Sequence, residues 1–394
     1  MGPYLIPKDP LLRWGLLLPD KRMPLPAPLN GRRVSHLFWA RNALFHGVTT
    51  LRLPEGSTIL APAYHCASAI EPLRQAGAQV RYYNVTADGF VDFKDLEARL
   101  NRSVKAMLVI HYFGFPQPIS RLHAWCRGQN IKLIEDCAHV LTGQSGGRTL
   151  GTFGDFSVFS YRKLLPLYDG GQLVLNDESL RLSSTWTKPS WIYSIKEVKG
   201  LVDKIADESG GVVAKGFSGM LRLPSKLLRR TVANVSGSGD TLTINSSSMD
   251  FDASLASMPM SRWSGRIMGN ISVQEVAERR RANYAALVKR LEGLNGLRCL
   301  FPDLAAGVCP WICPVIVPNR TDFHVRLRAS GIPAATWGGV IHPSLPAGEF
   351  PDARFLYQHL IFLPVHQDLN PSHLDLMAAK VHEALRETGR SGRA

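Results

Sequence analysis

At 394 residues, with 45% hydrophobic and 20% charged residues, the chain has the composition of a folded globular protein large enough for two cores. Lys and Arg number 46 against 32 Asp and Glu, a formal charge of +14, yet the basic residues lie in small scattered clusters with no reader motif, which argues against nucleic-acid binding. No stretch reaches the ~20 apolar residues of a membrane span, and the six cysteines have neither disulfide-framework nor zinc-site spacing, so no metal and a reducing, cytoplasmic setting are expected.

Residues 1–34 are Pro-rich and read as an irregular arm. Its Leu11, Leu12, Trp14 and Leu16 to Leu18 suit packing on the protein body or, alternatively, peripheral contact with a membrane surface. Ser35–Leu53 carries apolar residues at helical spacing behind a Ser cap, which predicts a helix. From there strands and helices of about ten residues alternate. STILAPAYHC, QVRYYNVT, KAMLVIHYFG and IKLIED read as strands, with ASAIEPLRQAGA, DFKDLEARL and ISRLHAWCRGQN as helices between or after them. Such alternation implies a mostly parallel sheet, and ligands on such sheets bind beyond the strands' carboxyl ends. Tyr64-His65, His111-Tyr112, Asp136 and Ser160 all fall at those ends.

Next come the strand FSVFS, a basic loop with Arg162 and Lys163, then Asp169-Gly170-Gly171 and the strand QLVLN. A carboxylate at one strand end and a lysine after a later strand are what a pyridoxal phosphate (PLP) enzyme requires, to hold the pyridine nitrogen protonated and to form the Schiff base. After Asp177 the pattern breaks down, and VANVSGSGDTLTINSSSMD has the composition of a flexible loop. ISVQEVAERRRANYAALVKRLEGL is a long helix. A second unit follows: strand CPWICPVIVP, helix TDFHVRLRASG, strand AATWGG, an apolar run at Leu360–Pro364 and a capped C-terminal helix.

The motifs TILAPAYHCASAIEPLRQAGA, VIHYFGFP, LIEDCAHVLTG, FGDFSVFSYRK with DGGQLVLND, RRRANYAALVKRL and FLPVHQDLNPSHLDLMAAKVHEAL, taken in order, resemble the DegT/DnrJ/EryC1/StrS sugar aminotransferases. The resemblance implies an α/β, fold-type I PLP-transferase. A mostly parallel, helix-flanked sheet would form a large domain over 35–250, with a smaller α+β domain over 251–394. It also implies a homodimer with sites at the interface, PLP as cofactor, and transfer of an amino group, by analogy from glutamate, to a nucleotide-linked keto-sugar for polysaccharide or glycoconjugate synthesis. Two alternatives stay open: a degenerate member that binds PLP or a sugar nucleotide without catalysis, and a sugar dehydratase of the same family. Those dehydratases carry His at the lysine position, where this chain has Lys163.

Carried over position by position, Lys163, seven residues before Gly170, is the Schiff-base lysine, although the segment from Ser160 to Lys163 is shorter than the family pattern. Asp136 is the partner of the pyridine nitrogen. His139 replaces the usual Gln beside the cofactor and introduces a titrating imidazole. Arg41 and Asn42 align with a phosphate-binding helix start and Ser160 with a phosphate-contacting serine. His65 is taken as the ring-stacking residue, because Cys66 holds the position usually aromatic. His342 and His366 align near the mouth of the site, on the sugar side. Arg262 or Asn270 stands for the segment that reaches across the dimer.

Overall fold

The computed structural model describes residues 4–18, 29, 31–182, 186–187, 200–201, 251–317, 320–337 and 341–391. The Ser- and Gly-rich stretch expected to be a flexible loop lies outside them. Seven strands form the main sheet: β1 (Arg33–Leu37), β2 (Thr58–Pro62), β3 (Gln79–Tyr83), β4 (Val104–Ile110), β5 (Lys132–Cys137), β8 (Phe156–Ser160) and β9 (Gly171–Leu175). A two-residue pair, β6 (Gln144–Ser145) and β7 (Arg148–Thr149), forms a separate hairpin between β5 and β8. The order across the main sheet is β1-β9-β8-β5-β4-β2-β3, and β9 alone runs against its neighbours. Five-residue strands such as TILAP and FSVFS are buried throughout, as a sheet covered on both faces requires. The other strands therefore point their carboxyl ends at one edge, where the chain turns into the candidate site.

Helices α1 (Ala40–Thr50), α2 (Glu71–Gln75), α3 (Phe93–Ala98) and α4 (Ile119–Gly128) accompany this sheet. The helix expected over Ser35–Leu53 is split. Its first part is β1, paired from Arg33 to Leu37 with Leu175 to Gly171 of β9, and only the remainder is helical. Apolar residues spaced for a helix face also suit an edge strand when a partner strand lies alongside, and here tertiary pairing decides. The boundary at residue 34/35 thus falls inside β1, and Leu255 and Met258 pack with Phe38 on the main sheet rather than with the second unit. Gly171 permits a close approach at this point: a Cβ on it would overlap the Trp39 backbone, so the glycine lets the start of α1 sit against β9.

The second unit has a three-stranded antiparallel sheet in the order β10-β11-β12 (Arg298–Cys299, Ile312–Ile316, Leu360–Pro364). Around it lie α5 (Arg262–Gly269), α6 (Val273–Leu291), α7 (Arg320–Ala329), α8 (Pro351–His359) and α9 (Pro371–Ser391). Ser272 caps α6 by accepting from the Glu275 N–H, and the Asn370 side chain accepts from the His373 N–H at the start of α9. Among the described residues of the expected strand AATWGG, the pairing is a single bridge, Ala335 with Phe362. The two sheets meet at Gly114, where the Trp311 N–H donates to the Phe113 carbonyl and a Cβ would strike the Cys309 carbonyl. The N-terminal arm lies on the second unit: Leu5 N–H donates to Gly331, Pro7 accepts from His366, and Leu11 and Arg13 hold Asp368. No helix among the described residues is long and apolar enough to cross a membrane.

Candidate active site

A cleft of about 580 Å³ opens at the carboxyl edge of the main sheet. It is walled by the start of α1 (Ala40, Arg41), the β2 turn (Cys66, Ser68), the end of β5 (Asp136, Ala138, His139), Ser160, and the turn Tyr161–Lys163, with Trp39 and Trp337 at its sides. Lys163, Asp136, His139, Ser160 and Arg41, five of the residues singled out from the sequence, come together here from three separate segments.

Asp136 lies at the end of β5, buried at 6% exposure. Burial raises its carboxyl pKa; the Lys163 ammonium, the Ala138 N–H at 2.8 Å and His111 pull it back. The next residue along β5 in the other direction, Glu135, has a different task. Its carboxylate accepts from the backbone N–H groups of Gly151, Phe153 and Gly154 at 2.9, 2.5 and 2.6 Å, and stands 3.2 Å from His111 Nε2. Glu135 thereby fixes the turn that leads into β8. In the sequence it is indistinguishable from Asp136, because only strand alternation sends one carboxylate to the turn and the other to the cleft.

Lys163 closes a single 3-10 turn after β8 and keeps part of its side chain open to the cleft. Its pKa is lowered to about 8, chiefly by burial. Arg162 and Arg41 add to the shift, while the Cys66 sulfur and the Asp136 carboxylate oppose it. At pH 7.5 such an amine is neutral in about a quarter of molecules, against about one in a thousand for an ordinary lysine.

The start of α1 lines the cleft, with Arg41 over the Trp39 ring, and the positive end of a helix favours an anion. The buried Ser160 hydroxyl makes no hydrogen bond among the described residues. Together with Arg162, these groups present two guanidinium groups, a hydroxyl and a helix start to one wall, a set suited to a phosphate dianion.

Three expectations are corrected by the geometry. Asn42 turns away from the cleft; it is buried and donates to the Leu255 carbonyl, tying α1 to the segment before α5. His65 does not face the cleft either. It is fully buried against Tyr82, with Nδ1 bonded to the Pro62 carbonyl and Nε2 accepting from the His342 N–H, and Cys66 lines the cleft in its place. His342 is engaged with Glu71 at 3.0 Å and Ser344 at 2.7 Å and lies outside the cleft wall. For His65 the cause is local: the turn after β2 sends His65 and Cys66 to opposite sides, so an assignment one residue off reverses the facing.

His139 does line the cleft, but not as a titrating group. Its Nδ1 accepts from the Phe113 N–H, its ring stacks on Trp311 at 4.3 Å, and burial together with the Lys163 charge lowers its pKa well below the ordinary value. It is a neutral imidazole with the hydrogen on Nε2. His366 lines a smaller adjoining pocket of about 290 Å³ that Lys163 also borders, along with Lys8, Asp9, Arg280 and Trp311. Asn270 donates to the Leu16 and Leu18 carbonyls of the arm, and Arg262 is exposed on α5. Trp39, Trp311 and Trp337 had no signal of their own in the sequence, where each reads as an apolar core residue.

The fold and this edge-of-sheet cleft define the class: an α/β fold with a lysine and a carboxylate lining one cavity. Residues 40–185 match the model of the DegT/DnrJ/EryC1/StrS aminotransferase family. It is 28% identical over 150 residues to a GDP-perosamine synthase of Vibrio cholerae, covering 36% of this chain and 41% of that protein. It is 29% identical over 178 residues to a UDP-4-amino-4,6-dideoxy-N-acetyl-beta-L-altrosamine transaminase of Campylobacter jejuni, covering 44% and 47%. The matched segments thus span less than half the length of these relatives. Over the whole fold, the putative sugar aminotransferase Spr1654 from Streptococcus pneumoniae, in its PMP form, superposes with a TM-score of 0.69 at 15% identity, covering 99% of this chain and all of that one (100%).

Proposed function

We propose that the protein is a PLP-dependent aminotransferase that moves an amino group from a donor, glutamate by analogy, to a nucleotide-linked keto-sugar. The observation that carries this reading is that Lys163 and Asp136 line one cleft and perturb each other's ionisation, beside a wall suited to phosphate. The donor set fits PLP: Asp136 for the pyridine nitrogen, Lys163 for the aldehyde carbon, and Ser160, Arg41, Arg162 and the α1 N-terminus for the phosphate. The relatives' printed names support a nucleotide-sugar substrate.

When bound, PLP supplies an aldehyde and a ring that takes up electrons. Asp136 would keep the ring nitrogen protonated, and that cation would offset the burial of its carboxylate. Lys163 would supply the neutral amine for the aldehyde carbon and would carry protons to and from the substrate carbons. His139, held neutral, would offer its Nε2–H to the cofactor's phenolic oxygen without adding charge. Trp39 and Trp337 exclude water from the sides.

By family analogy the active form is a homodimer and the setting cytoplasmic, with the main-sheet unit and the C-terminal unit as cofactor-binding and small domains. The test is to incubate PLP-loaded protein with glutamate and a panel of nucleotide keto-sugars and to follow the product by mass. Exchange of a keto oxygen for an amino group on one of them is the expected result. Cofactor binding with no amination of any sugar and no conversion of glutamate to its keto acid would favour a binding protein.

A further inference from the structure

The turn that carries Lys163 is short, and its backbone is held by the other sheet's unit. The Trp311 indole N–H donates to the Lys163 carbonyl at 2.9 Å. Arg280, only 1% exposed on α6, donates through Nη2 to the Leu164 carbonyl at 2.8 Å and through Nη1 to the Trp311 carbonyl at 2.9 Å. Gln367 Nε2 reaches the same Leu164 carbonyl at 3.3 Å. One guanidinium therefore links the lysine turn to Trp311, the residue just before β11. Buried carbonyls need donors, and here two consecutive ones, at the reactive lysine and just after it, obtain them from across the interface.

Trp311 also meets the far end of the same side chain. Lys163 Nζ lies 5.1 Å from the centre of the Trp311 ring, whose face also packs on His139. The one indole thus fixes the root of Lys163 through its N–H and flanks the amine through its π-face, a contact favourable for the ammonium form. His139 in turn is anchored by the Phe113 N–H, and Trp311 N–H holds the Phe113 carbonyl. Each member of this set faces the lysine or supports a neighbour that does.

We propose that Trp311 and Arg280, with Gln367 beside them, are positioning residues for Lys163: they hold its turn so that the amine points into the cleft. This rests on the PLP reading above. It goes beyond that reading by making the attack geometry depend on residues of the second unit.

The test uses the full-length protein loaded with PLP. Total bound cofactor is measured by equilibrium dialysis, and the fraction covalently fixed on Lys163 by borohydride is measured by peptide mass. In parallel, competitive acylation of the cofactor-free protein gives the pH midpoint of Lys163. Trp311→Phe keeps an aromatic ring against His139 and removes the indole N–H together with the volume of the second ring. It is expected to bind PLP within about twofold of wild type while the fixed fraction falls about fivefold or more, because misplacement of the attacking atom reduces reaction more than binding. The acylation midpoint is expected to move up from about 8 as the amine swings toward water. Gln367→Met, a near-isosteric change, should show the same pattern at about twofold, and it decides the matter if Trp311→Phe does not fold. A fixed fraction that stays in proportion to bound cofactor, with an unmoved midpoint, would show that these residues only hold the fold and would overturn the proposal. If the wild type binds no PLP, the functional reading fails, and the midpoint alone decides for or against the clamp.

Discussion

Lys163 has the ionisation an amine nucleophile needs because of where its chain is buried. With the pKa lowered to about 8, the reactive neutral form grows as pH rises through that value, so the acylation rate of Lys163 should climb between pH 7 and 9 and level off above. A midpoint near the ordinary lysine value would show that the turn leaves the amine in water. Asp136 works in the opposite sense: burial raises its carboxyl pKa, and a cationic neighbour is needed to keep it ionised. On the proposed function, Asp136→Asn should therefore reduce the transamination rate about 100-fold or more, with a smaller loss of cofactor binding; equal activity would remove Asp136 from the mechanism. His139 is neutral in the folded protein because its pKa lies well below the usual range. The acid limb of the pH profile should then show no step near pH 6.5, and His139→Gln should leave the profile's shape unchanged.

At the scale of elements, the site depends on how the strand ends are held. Glu135 on β5 satisfies three backbone N–H groups of the turn before β8 and faces His111. Removing it leaves those donors buried without partners, so Glu135→Ala should lower stability by about 3–5 kcal/mol in urea unfolding. A change under about 1 kcal/mol would mean that water replaces the carboxylate. Neither this role nor its location was legible in the sequence, where Glu135-Asp136 is simply an acidic pair. What could be read was the placement at strand ends: βαβ alternation puts Asp136 and Ser160 at the carboxyl edge, and the family resemblance, through its Gly-Gly pattern, points to Lys163. What could not be read lay in turns and at the interface. The side chains of His65 and Cys66 were exchanged, because the turn after β2 has no period to follow. The sequence reads as helix through β1, because its pairing with β9 is set by residues more than 130 positions away (Ser35 opposite Leu173). Trp311 and Arg280 reach Lys163 only through the packing of α6 and β11 against the main sheet, and no local pattern reports such a contact.

For the whole molecule, the formal charge of +14 and the two arginines on the cleft wall favour anionic ligands. Long-range attraction of this kind is screened by salt. The apparent affinity for a nucleotide sugar should fall several-fold between about 50 mM and about 500 mM NaCl, measured by titration calorimetry; a salt-independent affinity would leave the excess charge a matter of solubility alone. The arm over residues 4–18 packs across the C-terminal unit through Asp368, His366 and Gly331 and brings Lys8 and Asp9 to the pocket that borders Lys163. Sheet, arm and C-terminal unit thus converge on a single amine. The most direct measurement of that convergence is borohydride reduction of the PLP-treated protein followed by peptide mass mapping. The account predicts one stoichiometric cofactor adduct on the peptide containing Lys163, absent in Lys163→Ala. Adducts spread over surface lysines, with Lys163 unmodified, would contradict it.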